Sequence, residues 1–348
     1  MSEVVAVIPA HNEAPCIANA IRGLATQSVP PDRIVVVADN CTDSTAAISR
    51  GHGAGVFETT GNTAKKAGAL NQFLRQLPMP DPDARILVTD ADSVLDPTFI
   101  ETALGVLADS RYGGVGGVFR GDQGAGFVGH LQRNEYARYA RDVRRRRGRC
   151  LVLTGTAAMF PVRVLNRITA GRRNGTLPSG DGEGGVYDTR VMTEDNELSF
   201  AIMHLGFKIL APRGCTLTTE VMPTWQTLWE QRRRWKAGAV QNCIQYGITR
   251  VTARYWGRQL FTMLGIVVTL LYLATIAASL SLGGFHVHPM WAAASGVFIA
   301  ERAISVRDRG WRQMLLSASM YELVLDFFLQ TCHIAAYFRV LTNRAKVW

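Results

Sequence analysis

The chain has 348 residues, of which 47% are hydrophobic and 19% charged, and its net charge is +10. That balance excludes a disordered chain and is enough for one sizeable core plus an appendage. The positive charge suits nucleic acid, anionic lipid or a phosphorylated substrate equally, so its placement has to choose among them.

The opening MSEVVAVIPA has no basic leader and too short an apolar run for a signal peptide, and it reads as a strand. Apolar runs at residues 4–10, 33–38, 84–89 and 113–119 read as buried strands, and residues 14–26, 43–52 and 65–77 between them have helical spacing or composition. This alternation predicts an α/β fold with a mainly parallel sheet, whose ligands bind at the carboxyl ends of the strands. Six scattered cysteines without a CxxC pair predict a reduced, cytosolic catalytic region, with Cys243 and Cys332 in the core.

Chemistry-bearing residues gather at those strand ends. Pro9-Ala10-His11-Asn12-Glu13 follows the first strand, and Asp39 closes the second. Lys65 and Lys66 precede Gly68-Ala69-Leu70-Asn71, and Asp90-Ala91-Asp92 ends RILVT. Carboxylates accept from a base or ribose, and lysine neutralises phosphate. Each of these features also suits a turn or cap. Two carboxylates one residue apart after a buried strand are suited to a divalent cation and, through it, a diphosphate. Asp81 and Asp83 have the same spacing without that position.

Arg144–Arg147 with Arg149 read either as a solvated face or as a contact for an anionic membrane. Gly155-Thr156 after LVLT suits a tight strand turn, and the glycine-rich residues 171–185 suit either a mobile lid or a passive insertion. In VMTEDNELSF, Thr193 suits an N-cap, and Glu194, Asp195 and Glu197 suit the positive end of a helix dipole. Trp225, Trp229 and Gln231-Arg232-Arg233-Arg234-Trp235 combine arginines for phosphate with aromatic platforms, or form a basic helix on a membrane surface.

Residues 260–282 carry no charge and are long enough to cross a bilayer. Residues 284–300 are a weaker candidate, with His286 and His288 reading as interfacial rather than metal-binding. Residues 313–341 carry Ser319, Glu322, Asp326, Gln330 and His333 as one helical stripe. Arg250, Arg254 and Arg258 precede the first span, Arg302, Arg307, Arg309 and Arg312 follow the second, and Arg339, Arg344 and Lys346 follow the third. The positive-inside rule then predicts a hairpin with both ends cytosolic and an interfacial or re-entrant third segment.

In that order, IPAHNE, the strand ending in Asp39, KKAGALN, DAD, TED and QRRRW resemble the membrane-associated family 2 glycosyltransferases, the group containing cellulose, chitin and hyaluronan synthases. The likeness covers roughly residues 4–240, and TED with QxxRW is its most specific part. It implies a Rossmann-like GT-A domain over residues 1–225, interface helices carrying QRRRW over 226–258 and a membrane region over 259–348. It further implies a nucleotide-sugar donor, most often a UDP-sugar. Pro9, Ala10, Glu13 and Asp39 would lie at the nucleoside, and Lys66, Asp90 and Ala91 at the nucleotide or phosphate. Asp92 would hold Mg²⁺ or Mn²⁺. Asp195 would be the general base, its pKa raised by Glu194. Gln231, Arg234 and Trp235 would bracket diphosphate and acceptor, and Gly155 and Thr156 would lie on the acceptor side.

The implied partners are the donor, a lipid bilayer at the cytoplasmic face, and a lipid-linked, glycan or protein hydroxyl or phosphate as acceptor. A homo-oligomer could form through the C-terminal helices. Nucleic acid is not expected, because the arginine runs lack a reading motif. The large synthases usually carry membrane helices before the catalytic domain and a longer set after it, and no clear gating-loop motif follows QRRRW here. Both departures favour transfer of one or a few sugars. Processive polysaccharide synthesis by an oligomer and an inert nucleotide-sugar-binding scaffold are the alternatives.

Overall fold

The computed structural model describes residues 2–77, 81–282 and 289–342. His286, His288, Arg344 and Lys346 lie outside the described residues. The chain divides into two compact units, Met1–Thr224 and Trp225–Trp348.

The first unit runs β1 (Val4–Ala10), α1 (Ile17–Ala25), β2 (Arg33–Ala38), α2 (Thr45–Gly51), β3 (Gly55–Glu58), α3 (Lys65–Gln76), β4 (Arg85–Thr89), β5 (Ser93–Leu95), α4 (Phe99–Leu107), β6 (Tyr112–Gly116), β7 (Val118–Gly121), α5 (Gly126–Arg145), β8 (Ala157–Pro161), α6 (Val162–Arg173), α7 (Glu194–His204), β9 (Lys208–Leu210) and β10 (Thr216–Thr219). Among the described residues the main sheet has the order β3-β2-β1-β4-β8-β6-β9, and a smaller sheet has the order β5-β10-β7. β1 pairs in parallel with β2 and β4, whereas β8 is antiparallel to both β4 and β6. Every residue of β1 and β4 is buried, as expected of strands covered on both faces. Ile17, Ile21 and Leu24 of α1 and Phe99, Ile100 and Leu107 of α4 share one core with Ile8 and Leu87.

The run at residues 113–119 is not one strand. It breaks at Gly117 into β6 and β7, which belong to different sheets. Gly117 donates its N–H to Ala157 O at 2.9 Å, and Val118 donates to Cys215 O at 2.8 Å. A Cβ at Gly117 would lie 2.3 Å from Leu217 Cδ2, so only glycine fits that corner. LVLT is likewise no strand: Gly155 and Thr156 form a turn that precedes β8.

The glycine-rich insertion is anchored rather than loose. Asp181 Oδ2 accepts from Asn71 Nδ2 at 3.0 Å and from Arg75 Nη2 at 2.5 Å, while its Oδ1 accepts the N–H groups of Glu183 and Gly185. Arg172 donates to the carbonyls of Pro178 and Val186 and forms a two-pronged pair with Glu197 of α7 at 2.6 and 3.1 Å. Both side chains of that pair are wholly buried. Gly180, at φ +65, passes so close that a Cβ would lie 2.7 Å from Arg172 Cδ.

The second unit holds α8 (Trp225–Tyr246), α9 (Ala253–Ser281), α10 (Pro289–Ser305), a single 3-10 turn, α11 (Trp311–Ala318) and α12 (Leu323–Leu341). QRRRW sits on the one helix α8. α9, of 29 residues, and α12, of 19, are long and apolar enough to cross a membrane. α12 takes the place expected of an interfacial segment. The 17-residue α10 is not one of these two, and residues 313–341 are interrupted at Met320, φ +63. Part of the polar stripe turns inward, because a buried charge needs a partner, whereas Ser319 is exposed. Arg302 of α10 pairs with Glu322 at 3.5 Å and with Asp326, and Gln330 donates to Thr269 at 3.1 Å. Those stripe groups are therefore satisfied within the chain. Cys243 and Cys332 are buried.

Removing one partner of a buried pair strands the other charge. Arg172→Met alone should lower stability by about 3–5 kcal/mol, whereas Arg172→Met with Glu197→Leu should lose clearly less. Thermal unfolding of the full chain in detergent would check this, and equal losses would refute it.

Candidate active site

Because β1, β2 and β4 are parallel, their carboxyl ends share one edge. β8 runs the other way, pairing Ala157 with Thr89, so the turn before β8 returns to that edge. Asp90 donates its N–H to Thr156 O at 3.0 Å, which ties the Gly155-Thr156 turn beside the DAD segment. Lys66 arrives at the start of α3 after Lys65, φ +50, and Glu194 and Asp195 arrive at the start of α7.

Pro9 and Ala10 belong to β1, paired with Val37 and Ala38, rather than to the loop after it. His11 Nδ1 lies 2.6 Å from Asp39 O. The Asp39 carboxylate is buried and held through Oδ1, which accepts from Thr59 at 2.7 Å, Asn62 at 2.8 Å and Asn40 at 3.1 Å. Thr59 and Asn62 were not legible as site residues, because each acts only by fixing Asp39 across the sheet edge. Glu13 receives the Cys16 thiol at 3.1 Å, and burial together with Glu13 pushes that thiol up to about 12.

Lys66 joins three segments. Its Nζ donates to Asp90 Oδ1 at 2.5 Å and to Gly155 O at 3.0 Å, and lies 3.7 Å from Glu194. Burial opposes the ammonium charge, but Asp90, Glu194 and Asp195 together outweigh it and hold the pKa above the usual lysine range. Asp195 points back from α7: its Oδ2 accepts the Gly155 N–H at 2.9 Å and its Oδ1 the Asn196 N–H at 2.8 Å. Burial pushes the carboxyl up to about 6, the like charge of Glu194 adds to this, and Lys66 opposes it. Repulsion from Glu194, expected from TED, is therefore real but second to burial. Thr193 occupies the N-cap position without a side-chain capping bond.

Lys66, Gly155, Tyr187, Glu194 and Asp195 line one small cavity, closed by Val88, Leu153, Phe160 and Leu198. Tyr187 has no sequence signal beyond being an aromatic after the glycine run. Asn71 sets its backbone from both sides, accepting its N–H at 2.9 Å and donating to its carbonyl at 2.8 Å. Burial first, and the nearby carboxylates second, keep the phenol protonated.

Among the described residues Asp92, unlike Asp90, has no cationic partner. Its Oδ1 accepts from Ser93 at 3.0 Å, and its charged neighbours are Asp90, Glu13 and Glu220. Burial and the charge of Asp90 push its carboxyl up to about 6. A half-buried carboxylate among like charges is a fitting donor for a hard divalent cation. Among the described residues no group of three or more His, Cys, Asp or Glu side chains could enclose a metal. The donor set thus fits an ion that takes most of its ligands from phosphate and water, as Mg²⁺ commonly does.

Gln231, Arg234 and Trp235 lie on α8 in the second unit. The Arg232 guanidinium stacks 4.4 Å above the Trp235 ring, while Arg234 and Trp235 are exposed.

The family described as "Glycosyltransferase like family 2" matches residues 2–238. "Probable glycosyltransferase YdaM" of Bacillus subtilis is 25% identical over 272 residues, covering 74% of this chain and 58% of that protein. The poly-beta-1,6-N-acetyl-D-glucosamine synthase of Staphylococcus aureus is 22% identical over 283 residues, covering 77% of this chain and 63% of that protein. The chain thus spans about three-fifths of the length of these relatives. A solved structure of the mannosyltransferase PcManGT from Pyrobaculum calidifontis, in complex with GDP-Man and Mn²⁺, matches in fold with a TM-score of 0.64 at 20% identity. That match covers 98% of this chain and 87% of the other.

Lys66→Met would leave Asp90, Glu194 and Asp195 without their shared cation. We expect a loss of roughly 2 kcal/mol at pH 8. The loss should be smaller at pH 5, because Asp195, whose carboxyl burial raises to about 6, then protonates and relieves part of the repulsion. Thermal melts at the two pH values would check the sign, and a larger loss at pH 5 would refute it.

Proposed function

The chain belongs to the family 2 glycosyltransferases, and on that footing we propose that it transfers a sugar from a nucleotide sugar, a UDP-sugar in the first instance, to a hydroxyl of a membrane-proximal acceptor, inverting the anomeric carbon. The observation that carries the reading is Asp195: a half-buried carboxylate with a raised pKa, fixed by two backbone N–H groups in a cavity at the carboxyl edge of the sheet.

Asp195 takes the proton of the acceptor hydroxyl as its oxygen attacks the anomeric carbon. A new C–O bond forms there, the bond to the diphosphate breaks on the opposite face, and the nucleoside diphosphate leaves with the electron pair. Glu194 and burial keep Asp195 basic enough to accept the proton, while Lys66 keeps it ionised near neutral pH. Asp39 and Glu13, with Pro9 and Ala10 beneath them, are assigned to the nucleoside. Lys66, Asp90 and Ala91 are assigned to the phosphate side. Gly155 and Thr156 are assigned to the acceptor side, and Gln231, Arg234 and Trp235 to diphosphate and acceptor. Asp92 would hold Mg²⁺ or Mn²⁺, which when bound neutralises the diphosphate charge.

α9 and α12 are the proposed membrane attachment, with Arg250, Arg254, Arg258 and Arg339 favouring a cytoplasmic catalytic unit. Processive synthesis is a second reading, supported by the relative named as a polysaccharide synthase. Product length separates the two.

A screen of UDP-, GDP- and dTDP-sugars for nucleotide release, with and without membrane lipid, tests the donor. Asp195→Asn should slow release by about 10²- to 10⁴-fold while leaving nucleotide binding unchanged. Normal turnover in that variant would remove Asp195 as the base. In the native protein the log of the rate should rise with pH up to about 6 and then level, since the base is protonated below that value. Chelation should stop release and Mn²⁺ or Mg²⁺ restore it; full turnover under chelation would refute the metal assignment.

A further inference from the structure

Polar contacts in the second unit show that α9 and α12 run antiparallel: Gln330 reaches Thr269, and Tyr337 OH donates to Gln259 Oε1 at 2.9 Å. The start of α9 therefore lies beside the end of α12. α8 brings Lys236 to the same place, with its ammonium 5.0 Å from the Tyr337 ring centroid. Arg258 stands one residue before Gln259, and His333 lies one turn before Tyr337. Arg258 is the cation acting on Lys236, and Cys243 opposes it. Burial and Arg258 push the Lys236 ammonium down to about 8. His333 lies in the combined field of Lys236, Arg258 and Arg232.

Directly after Arg258 the surface of α9 turns apolar and open, with Leu260 65%, Phe261 73% and Leu264 53% exposed. Lys236 is half-buried and Arg258 is exposed, and two cations in one field suit an anion. An apolar helix face continuing from them calls for hydrocarbon. One amphiphile meets both needs. We propose that Lys236 and Arg258, with His333 beside them, bind the phosphate of an anionic lipid whose chains lie along the exposed face of α9. The phosphate could belong to a bilayer phospholipid or to a phosphorylated lipid acceptor. The shared chemistry is a lipid-borne phosphate, and binding requires no sugar donor, so it stands or falls separately from the transfer reaction.

The test uses the full chain in neutral detergent, titrated with brominated-chain phosphatidic acid, phosphatidylglycerol and phosphatidylcholine, with tryptophan quenching as the readout. Both anionic lipids should quench at clearly lower concentration than phosphatidylcholine. Lys236→Gln and Arg258→Gln should each weaken that response roughly fivefold, Lys236→Arg should retain it, and Arg307→Gln, away from the cluster in sequence, should leave it unchanged. Stronger quenching by phosphatidic acid than by phosphatidylglycerol would identify a phosphomonoester, as on a lipid acceptor, and equal quenching a bilayer phospholipid; both support the site. Equal quenching by phosphatidylcholine, an unchanged response in folded Gln variants, or displacement of the lipid by inorganic phosphate at equal concentration would overturn it.

Discussion

The buried pair between Arg172 and Glu197 is the constraint on which the candidate site depends. Two side chains with no solvent contact pair through both guanidinium prongs, and the arginine also donates to the carbonyls of Pro178 and Val186. Such a pair adds little net stability over a well-packed apolar alternative, because desolvating both charges offsets their attraction. It does demand one geometry. That geometry ties the end of α6, the glycine-rich insertion and the first turns of α7 together, and so sets Tyr187 and Asp195 about the same cavity.

Charge in the first unit is arranged by contrast. Lys66 stands among Asp90, Glu194 and Asp195, so these three acids share one cation. Asp92, two residues from Asp90, faces other acids instead. The same DAD segment therefore presents one carboxylate compensated by a lysine and one set among other acids. Asp195 lies between these extremes. Burial raises its pKa, while the ammonium and two backbone donors limit the rise. A carboxylate tuned to about 6 is ionised at neutral pH yet more basic than an exposed aspartate.

In the second unit apolar length and internal polarity coexist. α9 and α12 are long enough to cross a bilayer, and their polar groups are matched within the helix set: Arg302 with Glu322 and Asp326, Thr269 with Gln330, Gln259 with Tyr337. Interhelical hydrogen bonds of this kind fix helix rotation where hydrocarbon cannot. Lys236 is the contrast, since it lies in the field of a second cation, Arg258.

Much of this was determined by the sequence alone. Strict apolar runs specified β1, β2 and β4, because strands buried on both faces admit little else; Asp39 and Asp90 were legible from their positions at the ends of those runs, and Lys66 from its place before Gly68–Asn71. Local pattern misled where long-range contacts decide. The run at 113–119 reads as one strand until Gly117 has to pass Leu217, and the turn legible at Gly155 reaches Asp195 only because β8 runs antiparallel. The segment TEDNE shows three acids in one helical turn and does not say which does what. Tertiary structure separated them: Glu197 is consumed by Arg172, Glu194 leans on Lys66, and Asp195 turns into the cavity. Sequence spacing puts acids on a helix start, but burial and partners, which arise only when distant segments pack, decide which of them can still exchange a proton.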